Sequence, residues 1–240
     1  MSDQGSLKRA LVTGGSRGIG KAICRALARD GWTVYINFKD SREEALALAR
    51  EIGGAAVQTD VADPAAVKAM FEEIGSIDLL VCNAGVACPQ QIQDVSDETW
   101  RRVFGVNIDG AFYCIREATP GMIRRKAGSI LLITSVCGVY GSSCEGTYSS
   151  TKGALISLTK TLGKELGPSG IRVNAIAPGF IETDMTACFS SEEKAVMAQD
   201  TPLRRLGQPE DVAELAAFLA SDRASFITGQ IIGCDGGFQV

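Results

Sequence analysis

Short apolar runs alternate with longer stretches of helical periodicity along the whole chain. Runs at 7–13 (LKRALVT), 32–37 (WTVYIN), 55–59 (AAVQT), 77–85 (IDLLVCNAG), 129–135 (SILLITS) and 171–178 (IRVNAIAP) predict strands. The run at 129–135 is almost wholly apolar, the pattern of a strand covered on both faces. QIIGCDGG, from Gln230 to Gly237, closes the chain with a short strand. Apolar positions at i, i+3 and i+4 predict helices over 18–31, 41–54, 63–75, about 98–118, 148–166 and 209–221. Their ends carry the expected punctuation: glycines after the first two, Asp63 before Pro64, and Pro209 near the start of the last.

Strand and helix in strict alternation imply an α/β, Rossmann-type, doubly wound parallel sheet of about seven strands with right-handed crossovers. No Pro/Ser-rich linker or low-complexity stretch interrupts it, so residues 1–240 read as a single domain. The longest irregular segment, 179–208, follows the sixth strand. A ligand lies at that edge of such a sheet, which makes the segment a candidate lid.

Composition narrows the function. The apolar fraction, 45%, supports a sizeable core, and a net charge of −4 gives no basic footprint for nucleic acid. No apolar run approaches the roughly 18 residues of a membrane span. The N-terminus, MSDQGSLKR, lacks the apolar region of a signal peptide. The expectation is a soluble cytoplasmic protein. The eight cysteines are scattered without a C-x-x-C pair and read as reduced, mostly buried thiols; Cys137 and Cys144 flank the region of interest below. Histidine is absent, which removes histidine-based triads and metal sites. No metal is expected.

TGGSRGIG, from Thr13 to Gly20, lies at the first strand-to-helix turn, where a dinucleotide pyrophosphate meets a helix N-terminus. Its spacing is G-x-x-x-G-x-G. Gly14 permits the tight turn, Gly18 lets backbone approach the pyrophosphate, and Gly20 lets the helix lie close to the strand. An NAD site places a carboxylate at the end of the second strand. Here Asn37 and Phe38 stand there, followed by Lys39, and Arg17 lies in the loop; the two cations suit the 2′-phosphate of NADP(H). Asp40 is the opposing signal, because a strand one residue longer would present it as an NAD-like acid.

Tyr148 and Lys152 are four residues apart in YSSTK and share one helix face; Ser135 lies upstream. A tyrosine titrates near 10, so shuttling a proton at neutral pH requires its anion to be stabilised, and a lysine one turn away can do this by charge. A serine hydroxyl nearby can hold a carbonyl oxygen. Thr134 is expected on the other face of the strand.

These motifs resemble the short-chain dehydrogenase/reductase family over almost the whole chain. The resemblance rests on TGGSRGIG, Asp60-Val61, Asn83-Ala84-Gly85, Asn107, Ser135, YSSTK, PGFIETDM (178–185) and DGG (235–237), in the family's order and spacing. It implies that Tyr148 donates a proton to a carbonyl oxygen, that Lys152 lowers its pKa and binds the nicotinamide ribose, and that Ser135 orients the carbonyl. Asn107 resembles the residue that kinks its helix and holds a relay water. The implied cofactor contacts are Gly14, Ser16, Arg17, Gly18, Ile19 and Gly20 in the loop, Lys39, Asp60 and Val61 toward adenosine, Asn83 and Gly85 beside it, and Ile181 and Thr183 at the carboxamide.

Within the family, IRVNAIAPGFIETDM, TPLRRLGQPEDVAELAAFLAS and ITGQIIGCDGG look most like beta-ketoacyl-acyl carrier protein reductases. The expectation is NADPH-dependent reduction of a 3-oxoacyl thioester on acyl carrier protein or coenzyme A, by a homotetramer. Reduction of another ketone, quinone, sugar or steroid is the alternative, and a non-catalytic dinucleotide-binding scaffold or sensor the remote one. Two departures stand out. Cys144-Glu145-Gly146 replaces a Gly-Gln-Ala-like stretch, and Ser169 stands where some of these reductases carry a basic residue. Arg124, Arg125 and Lys126, expected in a turn, form a basic cluster suited to an acidic carrier protein.

Overall fold

The structure is a computed structural model that describes residues 8–187 and 189–238; the first residue of the 7–13 run and Cys188 lie outside the described residues. Seven strands form one sheet: β1 (Arg9–Val12), β2 (Thr33–Phe38), β3 (Ala55–Gln58), β4 (Leu79–Cys82), β5 (Gly128–Ile133), β6 (Ile171–Pro178) and β7 (Ile231–Cys234). All pairings are parallel, in the order β3-β2-β1-β4-β5-β6-β7. The order reverses between β1 and β4, and the loops leaving their C-terminal ends open the crevice where such sheets bind ligands.

Successive residues of a strand face opposite sides, so each buried strand serves two cores. Ala10, Val12, Leu79 and Val81 pack against α1 (Gly18–Arg29), α2 (Arg42–Ile52) and α9 (Pro209–Ala220). Leu11, Leu80, Ile130 and Leu132 face α3 (Pro64–Ile74) and two helices described next. Asp63 caps α3 through its side chain, which accepts from the Ala65 and Ala66 amides.

The helix expected over 98–118 is three pieces: α4 (Asp97–Phe104), a π turn over Gly105–Asp109, and α5 (Gly110–Arg125). α5 continues through Pro120 because Met122 behind it is fully buried, its Sδ against Gly128 at the start of β5. β5 ends at Ile133, and the chain turns at Ser135 into a five-residue helix, α6 (Val136–Tyr140). α7 (Gly146–Leu166) then crosses to β6. The 179–208 segment is not structureless. It holds a 3-10 turn at Asp184–Thr186 and α8 (Ser191–Asp200), started by a capping box of Ser190 and Glu193.

The basic cluster is also placed differently. Arg124 and Arg125 finish α5 and Lys126 is its left-handed C-cap (φ 52°). Arg125 pairs with Asp78 at 3.3 Å and donates to the Ile77 carbonyl. Six residues of β5, about 20 Å of strand, separate Lys126 from Ser135. The cluster therefore sits at the sheet edge opposite Ser135 of the same chain.

Candidate active site

The glycine loop has the form its sequence predicts. Gly14 and Gly18 adopt positive φ (62° and 51°). A Cβ on Gly20 would stand 2.3 Å from the Gly14 carbonyl oxygen, so only glycine lets α1 start this close to β1. The N-terminus of α1 has no side-chain cap and no acid in its first turn. Its leading N–H groups are thereby open to an anion. Ser16 is buried in the loop, and Ile19 packs from the first turn onto the core below. These residues fit a dinucleotide pyrophosphate.

Polar side chains fix the loop in place. Asn83 Nδ2 donates to the carbonyls of Thr13 (2.9 Å) and Gly14 (3.0 Å), and the Asn83 and Ala84 amides donate to Thr13 Oγ1. Asn37 is buried and joins the Gly14 amide to the Thr59 carbonyl, so it braces the end of β2 and faces no ligand. Lys39, just beyond, lies 2.8 Å from Asp60. Arg17 lies 3.8 Å from Asp184 and is exposed. Val61 is buried against Gly110 at the start of α5, where a Cβ would meet Val61 Cγ2 at 2.8 Å. Across the crevice, Thr183 comes within 3.4 Å of a Cβ built on Gly18, and buried Ile181 pairs with Gly207. The 181–186 segment thus closes over the glycine loop, held by Thr186 Oγ1, which donates to the Ile181 and Thr183 carbonyls.

Ser135, Tyr148, Lys152 and Asn107 converge at the C-terminal edge of β4 and β5. Ser135 caps α6, its Oγ accepting from the Cys137 amide at 3.1 Å, and it hydrogen-bonds to the Tyr148 hydroxyl. α6 lies on α7 backbone to backbone: a Cβ on Gly138 would meet Lys152 at 2.6 Å. Thr134 Oγ1 donates to the Lys152 carbonyl at 2.8 Å, away from Tyr148, as strand alternation requires. Lys152 is buried; Nζ donates to the Ile133 carbonyl at 2.8 Å and lies 5.4 Å from the centroid of the Tyr148 ring.

Asn107 stands in the π turn, fully buried. Its Oδ1 accepts from the Val86 amide (2.8 Å) and its Nδ2 donates to the Val86 carbonyl and Thr151 Oγ1 (both 3.0 Å). The extra residue of a π turn re-aims a side chain that an unbroken α-helix would carry elsewhere. Gly85 sits between Asn107 and Lys152, each 3.4 Å from a Cβ placed there, so its place is beside the catalytic edge.

Burial raises the Tyr148 phenol above its ordinary value, the nearby Cys137 and Glu145 add to this, and the Ser135 hydrogen bond opposes it. The Lys152 ammonium donates to the Ile133 carbonyl and is itself pushed down to about 8 by burial. Among the described residues no cluster of three or more Cys, Asp or Glu is placed to hold a metal. Val86 is a part of the site that sequence reasoning did not name, since no spacing marks it, and Thr151 and Asp184 lie inside the YSSTK and PGFIETDM motifs without having been given a role.

A family model described as enoyl-(acyl carrier protein) reductase matches residues 14–239. A solved structure described as a short chain dehydrogenase/reductase family protein superposes with a TM-score of 0.89 at 36% identity, covering 96% of each chain. The chain belongs to the short-chain dehydrogenase/reductase family. As a member it is an oxidoreductase that interconverts C=O and CH–OH groups with a nicotinamide dinucleotide. It is 44% identical to a 3-oxoacyl-[acyl-carrier-protein] reductase FabG of Staphylococcus aureus, covering 97% of this chain and 98% of the relative. It is 39% identical to an uncharacterized oxidoreductase, YmfI, of Bacillus subtilis, covering 97% and 99%. The crystal structure of a 3-oxoacyl-[acyl-carrier protein] reductase from Brucella melitensis gives a TM-score of 0.92 at 38% identity, over 97% of this chain and 91% of that one.

Proposed function

We propose that the protein reduces a 3-oxoacyl thioester, carried on acyl carrier protein or coenzyme A, to the 3-hydroxyacyl thioester with NADPH. The observation that carries this reading is the convergence of Ser135, Tyr148, Lys152 and Asn107 beside the open N-terminus of α1. Relatives named as 3-oxoacyl-[acyl-carrier-protein] reductases support the substrate class.

The glycine loop with Ser16, Arg17 and Ile19 would hold the pyrophosphate, with Asp60, Val61 and Asn83 beside the adenosine half, Gly85 at the catalytic edge and Ile181 and Thr183 at the nicotinamide end. The bound dinucleotide supplies the hydride. Ser135 Oγ holds the substrate carbonyl oxygen against Tyr148. The Tyr148 hydroxyl gives its proton to that oxygen as the carbonyl becomes an alcohol. Lys152, buried and titrating at about 8, is matched to neutral pH for returning a proton to the phenolate and for binding the ribose hydroxyls. Asn107 fixes the Val86 loop and α7 relative to one another and anchors a relay water. Arg17 and Lys39 favour a 2′-phosphate by charge.

The assembly we infer is a homotetramer, supported by the large apolar side chains Trp100, Phe112 and Ile123 exposed on α4 and α5. No described helix is long and apolar enough to cross a membrane, and the seven described cysteines are free thiols. The thiols support a reducing, cytoplasmic setting. A panel of acetoacetyl thioester, simple ketones and quinones, each with NADPH and NADH, tests the substrate. A thioester reduced more slowly than every ketone and quinone would give the site to another carbonyl compound.

A further inference from the structure

Glu145 lies one helical turn before Tyr148, at the start of α7, and is close enough for its charge to act on the phenol. An acid at a helix start is ordinarily stabilised by the free amides of the first turn. Glu145 is not: α7 has no side-chain cap, and Glu145 Oε2 is shielded from solvent without any hydrogen-bond partner. Only its backbone carbonyl serves the helix, accepting from the Ser149 amide at 2.7 Å. The turn that delivers it is strained, because Cys144 holds a left-handed φ of 62° that a side chain disfavours.

A second wall meets the first here. The Gln90 amide donates to the Cys144 carbonyl at 2.8 Å, which lays the loop after β4 against the start of α7. Gln90 Oε1 is likewise buried without a partner. Two unpartnered acceptor oxygens on two touching segments at the start of α7 make this wall electronegative. Burial raises the Glu145 pKa, and no ion pair among the described residues offsets its charge. Around the phenol stand Cys137 on α6 and Lys152 on α7, and the ammonium is spent on the Ile133 carbonyl.

We propose that Glu145 sets the charge selectivity of the substrate site: its carboxylate excludes oxo compounds that carry an anion next to the reacting carbonyl and admits neutral ones, such as thioesters. This rests on Tyr148 as the proton donor, and it adds what the catalytic groups alone do not specify. A free 3-oxo acid and its thioester offer Tyr148 the same ketone. They differ by one negative charge a few ångströms from the ketone, and beside half-buried Glu145 the repulsion of like charges is only partly screened.

The test compares acetoacetate with ethyl acetoacetate, which share a carbon skeleton and differ in charge, at mildly alkaline pH in the parent and in Glu145→Gln. The parent should favour the ester by at least about tenfold in kcat/KM. Glu145→Gln should reduce that preference about tenfold, mainly through the KM for acetoacetate, while the altered charge beside Tyr148 changes kcat for both substrates alike. A merely structural role for Glu145 would lower both substrates together and leave the preference intact, and that result overturns the proposal. So does a parent that uses acetoacetate as well as the ester, a measurement that needs no variant. A parent that reduces no carbonyl compound overturns the reading of Tyr148, and this inference with it.

Discussion

The Lys39 ammonium lies 2.8 Å from the Asp60 carboxylate and joins the end of β2 to the loop after β3. The pair raises the Lys39 pKa, through the hydrogen bond first and the charge second. Both side chains keep solvent access, 59% and 36%, so the pair adds little to stability, about 0–1 kcal/mol. Its consequence is placement: the cation is held at the end of β2, the edge of the crevice that we propose takes the adenosine half. Lys39→Ala should therefore lower kcat/KM for NADPH by about tenfold, change NADH less than about threefold, and leave the melting temperature almost unchanged. Steady-state kinetics with both cofactors check this. Equal losses would mean that Lys39 does not read the 2′-phosphate.

Lys152 makes a pH prediction. Its ammonium titrates near 10.5 in the unfolded chain and at about 8 in the fold, with burial the first cause. Between those values the unfolded chain binds one more proton, so this group makes stability rise with pH. Below about 8 both states are protonated and the burial cost, roughly 3 kcal/mol, is constant. Tyr148 has the opposite sign. Its raised pKa means that the fold keeps a proton longer, and its contribution falls as pH climbs past its ordinary value of 10. Lys152→Met should thus gain on the parent at pH 7 and lose that gain by pH 10.5. Urea unfolding of both proteins at the two pH values measures it. A parent–variant difference independent of pH contradicts the buried ammonium.

Trp100, Phe112 and Ile123 lie exposed on α4 and α5. A homotetramer that covers them should give about four times the chain mass by light scattering at micromolar concentration. Phe112→Glu should shift the mass toward smaller species. A parent that runs as a monomer refutes the assembly.

The alternation of apolar runs was enough to read the parallel sheet, because the central strands are buried on both faces and the long helices on one. TGGSRGIG and YSSTK were legible for the same reason: local backbone geometry ties them to their neighbours. What escaped reading depends on contacts distant in sequence or on elements without an apolar stripe. α8 buries none of its residues, so periodicity is silent, although Ser190 and Glu193 spell a capping box. α6 spans only Val136–Tyr140, too short for a period to show. Pro120 reads as a stop, yet the burial of Met122 carries α5 past it. The partnership of Lys39 with Asp60 follows from β2 pairing with β3, which no local pattern reveals. The Arg124–Lys126 cluster shows the same limit: its sequence lies close to Ser135, while the strand between them places the two at opposite edges of the sheet.

The central claim is that Tyr148 protonates the ketone of a 3-oxoacyl thioester while NADPH is consumed. The most direct measurement is NADPH oxidation and 3-hydroxybutyryl thioester formation from acetoacetyl-coenzyme A, in the parent and in Tyr148→Phe. The parent should form one hydroxy product per NADPH oxidised. The Phe variant should lose at least about a hundredfold in kcat while binding NADPH as tightly as the parent. A Phe variant that turns over at near the parental rate, or a parent that oxidises no NADPH with this thioester, would contradict the account.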